Sequence, residues 1–201
     1  MQFKSSFSGY PFPTDLTKEV ILFRRKFAET EIILKPLHLS RDIKTIHKWV
    51  NMPYAKAFWQ MTGSIGELYT FYEKLMQSGK AYSLIAFLNN SPVAQIDYYD
   101  VLFDEVKNLY DYKENDHGIH LLMAPNTQPV KALTPQVMIT ALAFMFSLGI
   151  PRIMGEPDAA NEKANKLVQK VGFSFIGPIK MSYKVANLYQ YTQEDFLRKH
   201  G

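Results

Sequence analysis

The sequence predicts an α+β domain in which helices cover a mixed central sheet. Short runs of β-branched and aromatic residues, bounded by turn signals, recur toward both ends of the chain and indicate strands. Residues 137–149 are apolar nearly all round, which predicts a buried helix, and residues 161–171 carry apolar residues at helical spacing directly after a strand-like run. A chain with this mixture of elements folds into layers of helix on sheet.

Length and composition favour one packed domain. The chain has 201 residues, of which 47% are hydrophobic and 21% charged, and this balance is typical of a globular core. We assign residues 1–30 to an N-terminal arm, in which prolines flank Phe12, and residues 31–201 to a single domain. The chain contains no cysteine, which excludes disulfides, zinc-thiolate sites and an acyl-enzyme thioester.

Charge and hydropathy bound the partners. The net charge of +4 favours an anionic partner, but the basic residues are scattered, which argues against nucleic acid. The N-terminus lacks the apolar core of a secretory signal, and no uncharged apolar run approaches about 18 residues, the length of a membrane span. We therefore expect a cytoplasmic protein with no membrane partner, while the oligomeric state stays open.

The first half of the chain predicts a strand, two helices and a hairpin. Ile32, Ile33 and Leu34 indicate the strand, and a helix follows over about 41–51. Ser64 with Glu67 three residues later forms a capping box for the second helix, which Gly79 ends. Residues 82–88 and 93–101 flank the turn sequence NNSP and predict a β-hairpin, and after an irregular acidic stretch residues 118–123 predict a further strand.

The second half predicts an alternation of helix and strand. Thr134 followed by Pro135 is a strong helix start, in which Thr134 is the N-cap, and Gly149 with Pro151 ends that buried helix. Residues 152–156 predict a strand, residues 161–171 a helix that Gly172 caps, and residues 173–181 and 185–192 two closing strands.

Five segments in this order resemble a known family. They are IHKWVNMPYAKAFW (46–59), SPVAQIDYYD (91–100), HGIHLLMAP (117–125), RIMGEPDAANEKANKLVQKVGF (152–173) and IKMSYKVANL (179–188). Their order and spacing resemble the GNAT acyltransferase fold and, within it, the siderophore-biosynthesis acyltransferases. These are the N6-hydroxylysine acetyltransferases and N-hydroxydiamine acyltransferases of pathways such as those of aerobactin, mycobactin, rhizobactin, alcaligin and desferrioxamine.

The resemblance implies direct transfer of an acyl group from acetyl-CoA or another acyl-CoA, without a metal. The acceptor is the hydroxylamine nitrogen of a small N-hydroxylated lysine or diamine, and the product is a hydroxamate. A hydroxylamine nitrogen is less basic than an ordinary amine, so it is largely unprotonated at neutral pH and needs only positioning and a base. The sequence leaves open which acyl group and which acceptor are used.

The resemblance also implies two catalytic residues. His120 is the candidate general base, because histidine titrates near neutral pH and this one lies on the strand that splays open in the resembling fold. Asp158 either orients and charge-stabilises His120 or holds the hydroxylamine through its hydroxyl group. The structural alternatives are a core histidine at 120, and a carboxylate at 158 that caps the helix at 161–171.

Six residues are expected on the CoA side. Leu122 and Met123 follow His120 on its strand, and Asn161 is expected either to bond the pantetheine arm or to act as a plain N-cap. The family's glycine-rich pyrophosphate loop is replaced by residues 126–134, which contain no glycine. There Lys131 and Ala132 are the nearest substitutes, and Thr134 begins the helix whose positive end faces the phosphates.

Three residues are expected on the acceptor side. Trp59 lies in the segment that resembles the acceptor-side helices and is the aromatic residue expected to line the pocket, although aromatic residues at such spacing are commonly core. Asp97 and Tyr98 of the hairpin are expected to contact the far amine of the acceptor. Two other functions stay open: acylation of an ordinary amine, and a GNAT-like binding module that has lost CoA binding.

Overall fold

An eight-stranded sheet organises the computed structural model, which describes residues 20–59, 61–125 and 130–201. The strands are β1 Phe23–Lys26, β2 Glu31–Pro36, β3 Ala81–Leu88, β4 Ser91–Asp100, β5 Asp116–Met123, β6 Arg152–Gly155, β7 Ser174–Lys180 and β8 Val185–Thr192. Their spatial order in the sheet is β1-β2-β3-β4-β5-β6-β8-β7. Neighbouring strands pair antiparallel, except that β5 and β6 run parallel. The sheet is therefore mixed, as the sequence predicts.

Helices cover both faces of this sheet. They are α1 Leu39–Val50, α2 Pro53–Lys56, α3 Ile65–Gln77, α4 Leu133–Ser147, α5 Glu162–Val171 and α6 Gln193–His200. Within the described residues, no helix is long and apolar enough to cross a bilayer. The acidic stretch after β4 forms two short 3-10 turns at Val101–Phe103 and Glu105–Asn108.

The boundary of the predicted arm is wrong at its C-terminal side. Residues 23–26 form β1, which pairs antiparallel with β2, so the sheet begins before residue 31. In the sequence FRRK, three consecutive basic residues follow Phe23, so no alternation of apolar and polar residues marks this strand. Residues 1–19, including Phe12, lie outside the described residues.

Local signals explain the predicted helix and hairpin starts. The Ser64 side chain accepts the Glu67 N–H while the Glu67 carboxylate accepts the Ser64 N–H, which completes the predicted capping box. Between β3 and β4, Asn89 and Asn90 have φ of 49° and 64°. Two consecutive left-handed residues are the signature of a type I′ turn, the turn that matches strand twist.

Side chains alternate between the two faces of the sheet, and this alternation decides which residues reach the site. Ala94, Ile96 and Tyr98 of β4 join the core beneath α4, whereas Gln95 and Asp97 lie on the opposite face, toward α1–α3. The apolar helix α4 is buried along most of its length, as predicted. The face under α4 is thus an apolar core, whereas the face toward α1–α3 carries an apolar cluster together with the polar side chains of Gln95 and Asp97.

Helix α4 begins two residues earlier than predicted. Ala132, with φ of 58°, is the N-cap, and Thr134 lies inside the first turn, so the predicted N-cap role of Thr134 is wrong. Ala132 therefore adopts the left-handed conformation that glycine usually supplies at such turns. Residues 126–129 of the glycine-free loop lie outside the described residues.

Candidate active site

Strands β5 and β6 diverge in the middle of the sheet. They pair only from Asp116 to Gly118, opposite Arg152 to Met154, after which β5 continues to Met123 while β6 ends at Gly155. The Arg152 guanidinium donates two hydrogen bonds to the Asp116 carboxylate, at 2.8 and 2.6 Å, which holds the paired ends together. Beyond this clamp the strands separate and leave a cleft through the sheet.

The cleft has a volume of about 140 Å³ and reaches α4 and α5. Ile119 and Leu121 line it from β5, and Met138 lines it from α4. The remaining lining residues are Phe58, Trp59, His120, Gly155, Glu156, Pro157, Asp158, Asn161, Ala164, Leu167, Val168 and Lys184. Its walls are mostly apolar, which suits an extended, weakly polar chain rather than a charged group.

A histidine and a glutamate face each other across the divergence. His120 lies in the open part of β5, and Glu156 directly follows β6, so the divergence places the two side chains opposite each other. The His120 Nε2 to Glu156 Oε1 distance is 2.6 Å. The Glu156 side chain is 1% exposed and the His120 side chain 40% exposed, so the carboxylate is sealed while the imidazole remains accessible. Because Glu156 occupies Nε2, the Nδ1 atom of a neutral imidazole is the one that can accept a proton.

Each group of this pair stabilises the charged form of the other. Burial opposes the charged form of His120, but the Glu156 carboxylate outweighs burial and raises the pKa of His120 above its usual value of 6.5. Burial likewise works to raise the pKa of Glu156, but His120 and Lys184 together hold the pKa of Glu156 below its usual range. Glu156 is therefore ionised, and it orients His120 and strengthens it as a base.

Aromatic rings fix the imidazole. The His120 ring lies 5.1 Å from the Tyr99 ring and 6.1 Å from the Trp59 ring, measured between centroids. Tyr99 reaches this position by crossing Gly118 of the adjacent strand, where any β-carbon would overlap its ring. The glycine of HGIHLLM is thus required by a close side-chain approach.

A second, larger cavity of about 390 Å³ lies on the α1–α3 face. Asp97 is part of its floor and is 6% exposed. The Ser83 hydroxyl donates to Asp97 Oδ1 at 2.5 Å, and the Tyr72 hydroxyl donates to Oδ2 at 3.3 Å. Burial raises the pKa of Asp97, partly offset by these hydrogen bonds. The other lining residues are Phe58, Trp59, Met61, Phe71, Leu75, Ser78, Lys80, Ala81, Tyr99, Asp100, Phe103, Asp104, His120, Tyr183 and Lys184.

The two cavities meet at the histidine. Four residues line both of them, namely Phe58, Trp59, His120 and Lys184. The cleft is the smaller of the two, and the larger cavity has more aromatic residues in its walls. The arrangement can hold two small molecules on either side of one accessible imidazole.

The predicted role of Asp158 as the residue that orients His120 is not supported by the geometry. Glu156 accepts the hydrogen bond of the imidazole, while Asp158 Oδ1 accepts the Ala160 N–H at 2.8 Å and so shapes the turn before α5. Side chains two residues apart in an extended segment point to the same face, so the sequence pattern could not decide between Glu156 and Asp158. The signal for Glu156 was present in the sequence as a carboxylate at the end of an otherwise apolar strand.

Asn161 takes the structural alternative. It is the N-cap of α5, and its side chain accepts the Ala164 N–H at 3.1 Å. It also lines the cleft. Lys131 and Ala132 are exposed before α4, while Thr134 is half-buried. These three residues are not among those that line the two cavities.

Two predicted contacts are displaced by one residue along their strands. Leu122 packs under α1 and α3, and Ile119 and Leu121 line the cleft instead, while the Met123 carbonyl accepts the Tyr54 hydroxyl at 2.7 Å. Tyr98 packs against Phe144 in the core, and its neighbour Tyr99 faces the larger cavity. Both corrections follow from the strand period of two. Trp59 and Asp97 do line the larger cavity with His120.

The described part of the chain contains no group of three or more His, Asp or Glu side chains placed to hold a metal ion. The His120–Glu156 pair is a group in the site that can accept and donate a proton.

Known proteins resemble this chain in sequence and structure. The N-hydroxyputrescine acetyltransferase of Acinetobacter baumannii is 21% identical over 173 residues, which cover 86% of this chain and 83% of that protein. The N(6)-hydroxylysine O-acetyltransferase of Escherichia coli is 23% identical over 163 residues, which cover 80% of this chain and 51% of that protein. The aminoglycoside acetyltransferase AAC(6')-Ib, solved in complex with coenzyme A, superposes with a TM-score of 0.76 at 18% identity, over 85% of this chain and 99% of that one.

The family assignment rests on most of the chain. The model of the family described as "Acetyltransferase (GNAT) domain" matches residues 38–181. That range includes α1 to α5, the divergent strands, both cavities' lining strands and the His120–Glu156 pair. The protein is therefore an acyltransferase, and it belongs to the GNAT acetyltransferase family.

Proposed function

We propose that the protein transfers an acyl group from an acyl-CoA to the hydroxylamine nitrogen of a small N-hydroxylated amine and so makes a hydroxamate. The observation that supports this proposal is the position of the His120–Glu156 pair where the two cavities meet. The two relatives are named N-hydroxyputrescine acetyltransferase and N(6)-hydroxylysine O-acetyltransferase, and both names point to N-hydroxylated amines as the acceptor class. Hydroxamates bind iron(III), so the proposal includes a role in siderophore biosynthesis, in the cytoplasm.

The apolar cleft suits the acyl donor. The edge of β5 beyond Gly118 is not paired with β6, so its backbone groups are available to the amides of a pantetheine arm. Ile119, Leu121 and Met138 supply the apolar walls along this edge. The thioester of an acyl-CoA bound there would lie beside His120.

The larger cavity suits the acceptor. Trp59, Phe71 and Phe103 supply walls for an alkyl chain, and Asp97 supplies a buried carboxylate on the floor. A carboxylate that already accepts hydrogen bonds from Ser83 and Tyr72 is held rigidly, so it can position a donor group of the substrate.

The reaction then needs one base. The neutral hydroxylamine nitrogen attacks the thioester carbonyl carbon, the N–C bond forms, the nitrogen proton passes to His120 Nδ1, and the C–S bond breaks to release the CoA thiolate. Glu156 holds the imidazole in the tautomer that leaves Nδ1 free to accept and stabilises the imidazolium that results. His120 then returns the proton to the thiolate or to solvent.

Release of free thiol tests this proposal. Acetyl-CoA and succinyl-CoA would each be mixed with N6-hydroxylysine, N-hydroxyputrescine, N-hydroxycadaverine and their non-hydroxylated parents. The chain has no cysteine, so it adds no background thiol. We expect turnover with hydroxylated acceptors and little with their parents. Equal turnover with a parent amine would favour an ordinary amine acetyltransferase. If no donor and acceptor pair releases thiol, and CoA does not raise the Tm of the protein, a binding module would be favoured.

A further inference from the structure

Lys184 lies beside the His120–Glu156 pair and lines both cavities. Its Nζ atom donates to the backbone carbonyl of Glu156 at 2.6 Å and lies 4.0 Å from Glu156 Oε1. The Lys184 side chain is 13% exposed, so little solvent screens its charge from the pair. A lysine this enclosed, next to a catalytic base, influences how that base holds its proton.

The turn between β7 and β8 holds Lys184 in place. The Ser182 hydroxyl donates to the Glu105 carboxylate at 2.8 Å, and the Ser182 N–H donates to the same group at 3.2 Å. Within the turn, the Met181 N–H donates to the Lys184 carbonyl at 2.9 Å. The lysine therefore projects from a turn that is anchored on a separate part of the fold, the 3-10 segment after β4.

The charges around His120 are unequal. Two carboxylates favour its protonated form, and one ammonium opposes them. The phenol groups nearby are neutral at physiological pH, since burial raises the pKa of Tyr99 and of Tyr72. Among the described residues, the titratable and charged groups next to His120 are Glu156 after β6, Asp97 and Tyr99 on β4, and Lys184 from the β7–β8 turn. Tyr72 on α3 contacts Asp97, and Tyr183 of the β7–β8 turn lines the larger cavity with His120.

We propose that Lys184 is a positioning residue for the transfer reaction, one whose ammonium partly offsets the carboxylates of Glu156 and Asp97 and so lets the His120 imidazole lose its proton, and act as the base, at a lower pH than it would without the lysine. The proposal rests on the proposed function, because it assigns His120 the role of base. Without Lys184, the two carboxylates act unopposed, and the imidazole holds a proton over a wider pH range. The enzyme then needs a higher pH before its base becomes free.

Charge-changing variants test this role. Lys184→Met removes the charge and the donor, Lys184→Gln removes the charge but keeps a donor for the Glu156 carbonyl, and Lys184→Arg keeps both. Lys180→Met, an exposed position on β7, is the matched control. The profile of kcat/KM against pH would be measured for each variant. We expect the acid limb to move up by about 1 unit or more in the Met and Gln variants, the usual effect of a lost neighbouring charge.

A structural role would leave a different pattern. Under the proposal, the Met and Gln variants recover most of their activity at high pH, and the Arg and Lys180→Met variants keep the wild-type limb. Loss of activity at every pH with an unmoved limb would overturn the proposal. An increase in acceptor KM alone would also overturn it, because Lys184 would then act by contacting substrate.

A titration without substrate separates this inference from the proposed function. The imidazole resonance of His120, assigned by its absence in His120→Gln, would be followed by NMR through the pH range in wild type and in Lys184→Gln. A higher midpoint in Lys184→Gln supports the effect on His120 even if no acceptor in the thiol assay is acylated, in which case only the proposed function fails. An unchanged midpoint refutes the effect whatever the assay gives.

Discussion

At the scale of single residues, the account depends on which carboxylate serves His120. The sequence was enough to identify His120 as a candidate, because this histidine interrupts an apolar strand at the position where the resembling fold opens its sheet. It did not identify Glu156, whose relation to His120 is set by the end of β6 and spans 36 positions of the chain. Long-range register of this kind is decided by the sheet and not by local spacing.

Substitution of the carboxylates distinguishes the two assignments. We expect Glu156→Gln to lower kcat/KM by roughly 10²–10⁴-fold, because it removes the charge that orients and strengthens the base. Asp158→Asn keeps an oxygen that can accept the Ala160 N–H, so we expect its kcat/KM to fall by no more than about tenfold. Steady-state kinetics with the preferred acceptor would measure both, with the exposed Glu162→Gln as a control. A larger loss in Asp158→Asn than in Glu156→Gln would restore the original assignment.

The pH profile follows from the direction of the His120 shift. A base works only when it is unprotonated, and the pKa of His120 lies above its usual value of 6.5. We therefore expect kcat/KM to fall as pH drops through a midpoint above 6.5. Loss of the Glu156 charge removes the main cause of the raised pKa, so in Glu156→Gln the same limb should move to lower pH. A wild-type limb below 6.5 contradicts the expectation.

Gly118 gives a steric test of the site. Its missing β-carbon makes room for the Tyr99 ring, so Gly118→Ala should displace that ring and cost roughly 1–3 kcal/mol of unfolding free energy, together with activity. Gly177 has open space around its α-carbon, so Gly177→Ala is the matched control and should change neither. Denaturant unfolding and kcat/KM would be measured for both. Equal stability of the two variants would mean that Tyr99 is not held by this contact.

At the scale of elements, the divergence of β5 from β6 is the feature that makes a site. The Arg152–Asp116 ion pair joins the two strands at one end, and helices α4 and α5 close the cleft on their side of the sheet. The strands and helices themselves were predictable, because the capping box at Ser64 and the Asn89–Asn90 turn are local signals. The face of the sheet on which each side chain lies was predicted less well, because a shift of one residue along a strand moves a side chain to the opposite face. Tyr98 and Leu122, which were expected in the site, lie in the core.

Substitution of Asn161, at the start of α5, distinguishes a role in helix capping from a role in cofactor binding. Asn161→Ala removes the acceptor for the Ala164 N–H, so we expect a loss of roughly 1 kcal/mol of unfolding free energy. If the side chain serves only as a cap, the KM for acyl-CoA stays close to that of the wild type. Asn161→Asp should restore the stability, because aspartate is as good an N-cap. An acyl-CoA KM raised in both variants would instead assign the amide to the pantetheine arm.

At the scale of the whole molecule, the chain brings two differently lined cavities to one base. The order of elements was enough to predict the mixed sheet and the family resemblance, and residues 38–181 match that family. The lining of the larger cavity was only partly predicted: Trp59 and Asp97 line it as expected, but Tyr99, Phe103 and Lys184 come from segments that the fold brings together in space.

The most direct measurement is the identity of the acylated product. Wild type and His120→Gln would be incubated with acetyl-CoA and N-hydroxyputrescine or N6-hydroxylysine, and hydroxamate would be quantified as its coloured iron(III) complex and confirmed by mass spectrometry. The account predicts hydroxamate formation by the wild type and a rate lower by roughly 10²–10⁴-fold in His120→Gln. Acylation at the hydroxyl oxygen or at the other amine, or an undiminished rate in His120→Gln, would contradict it.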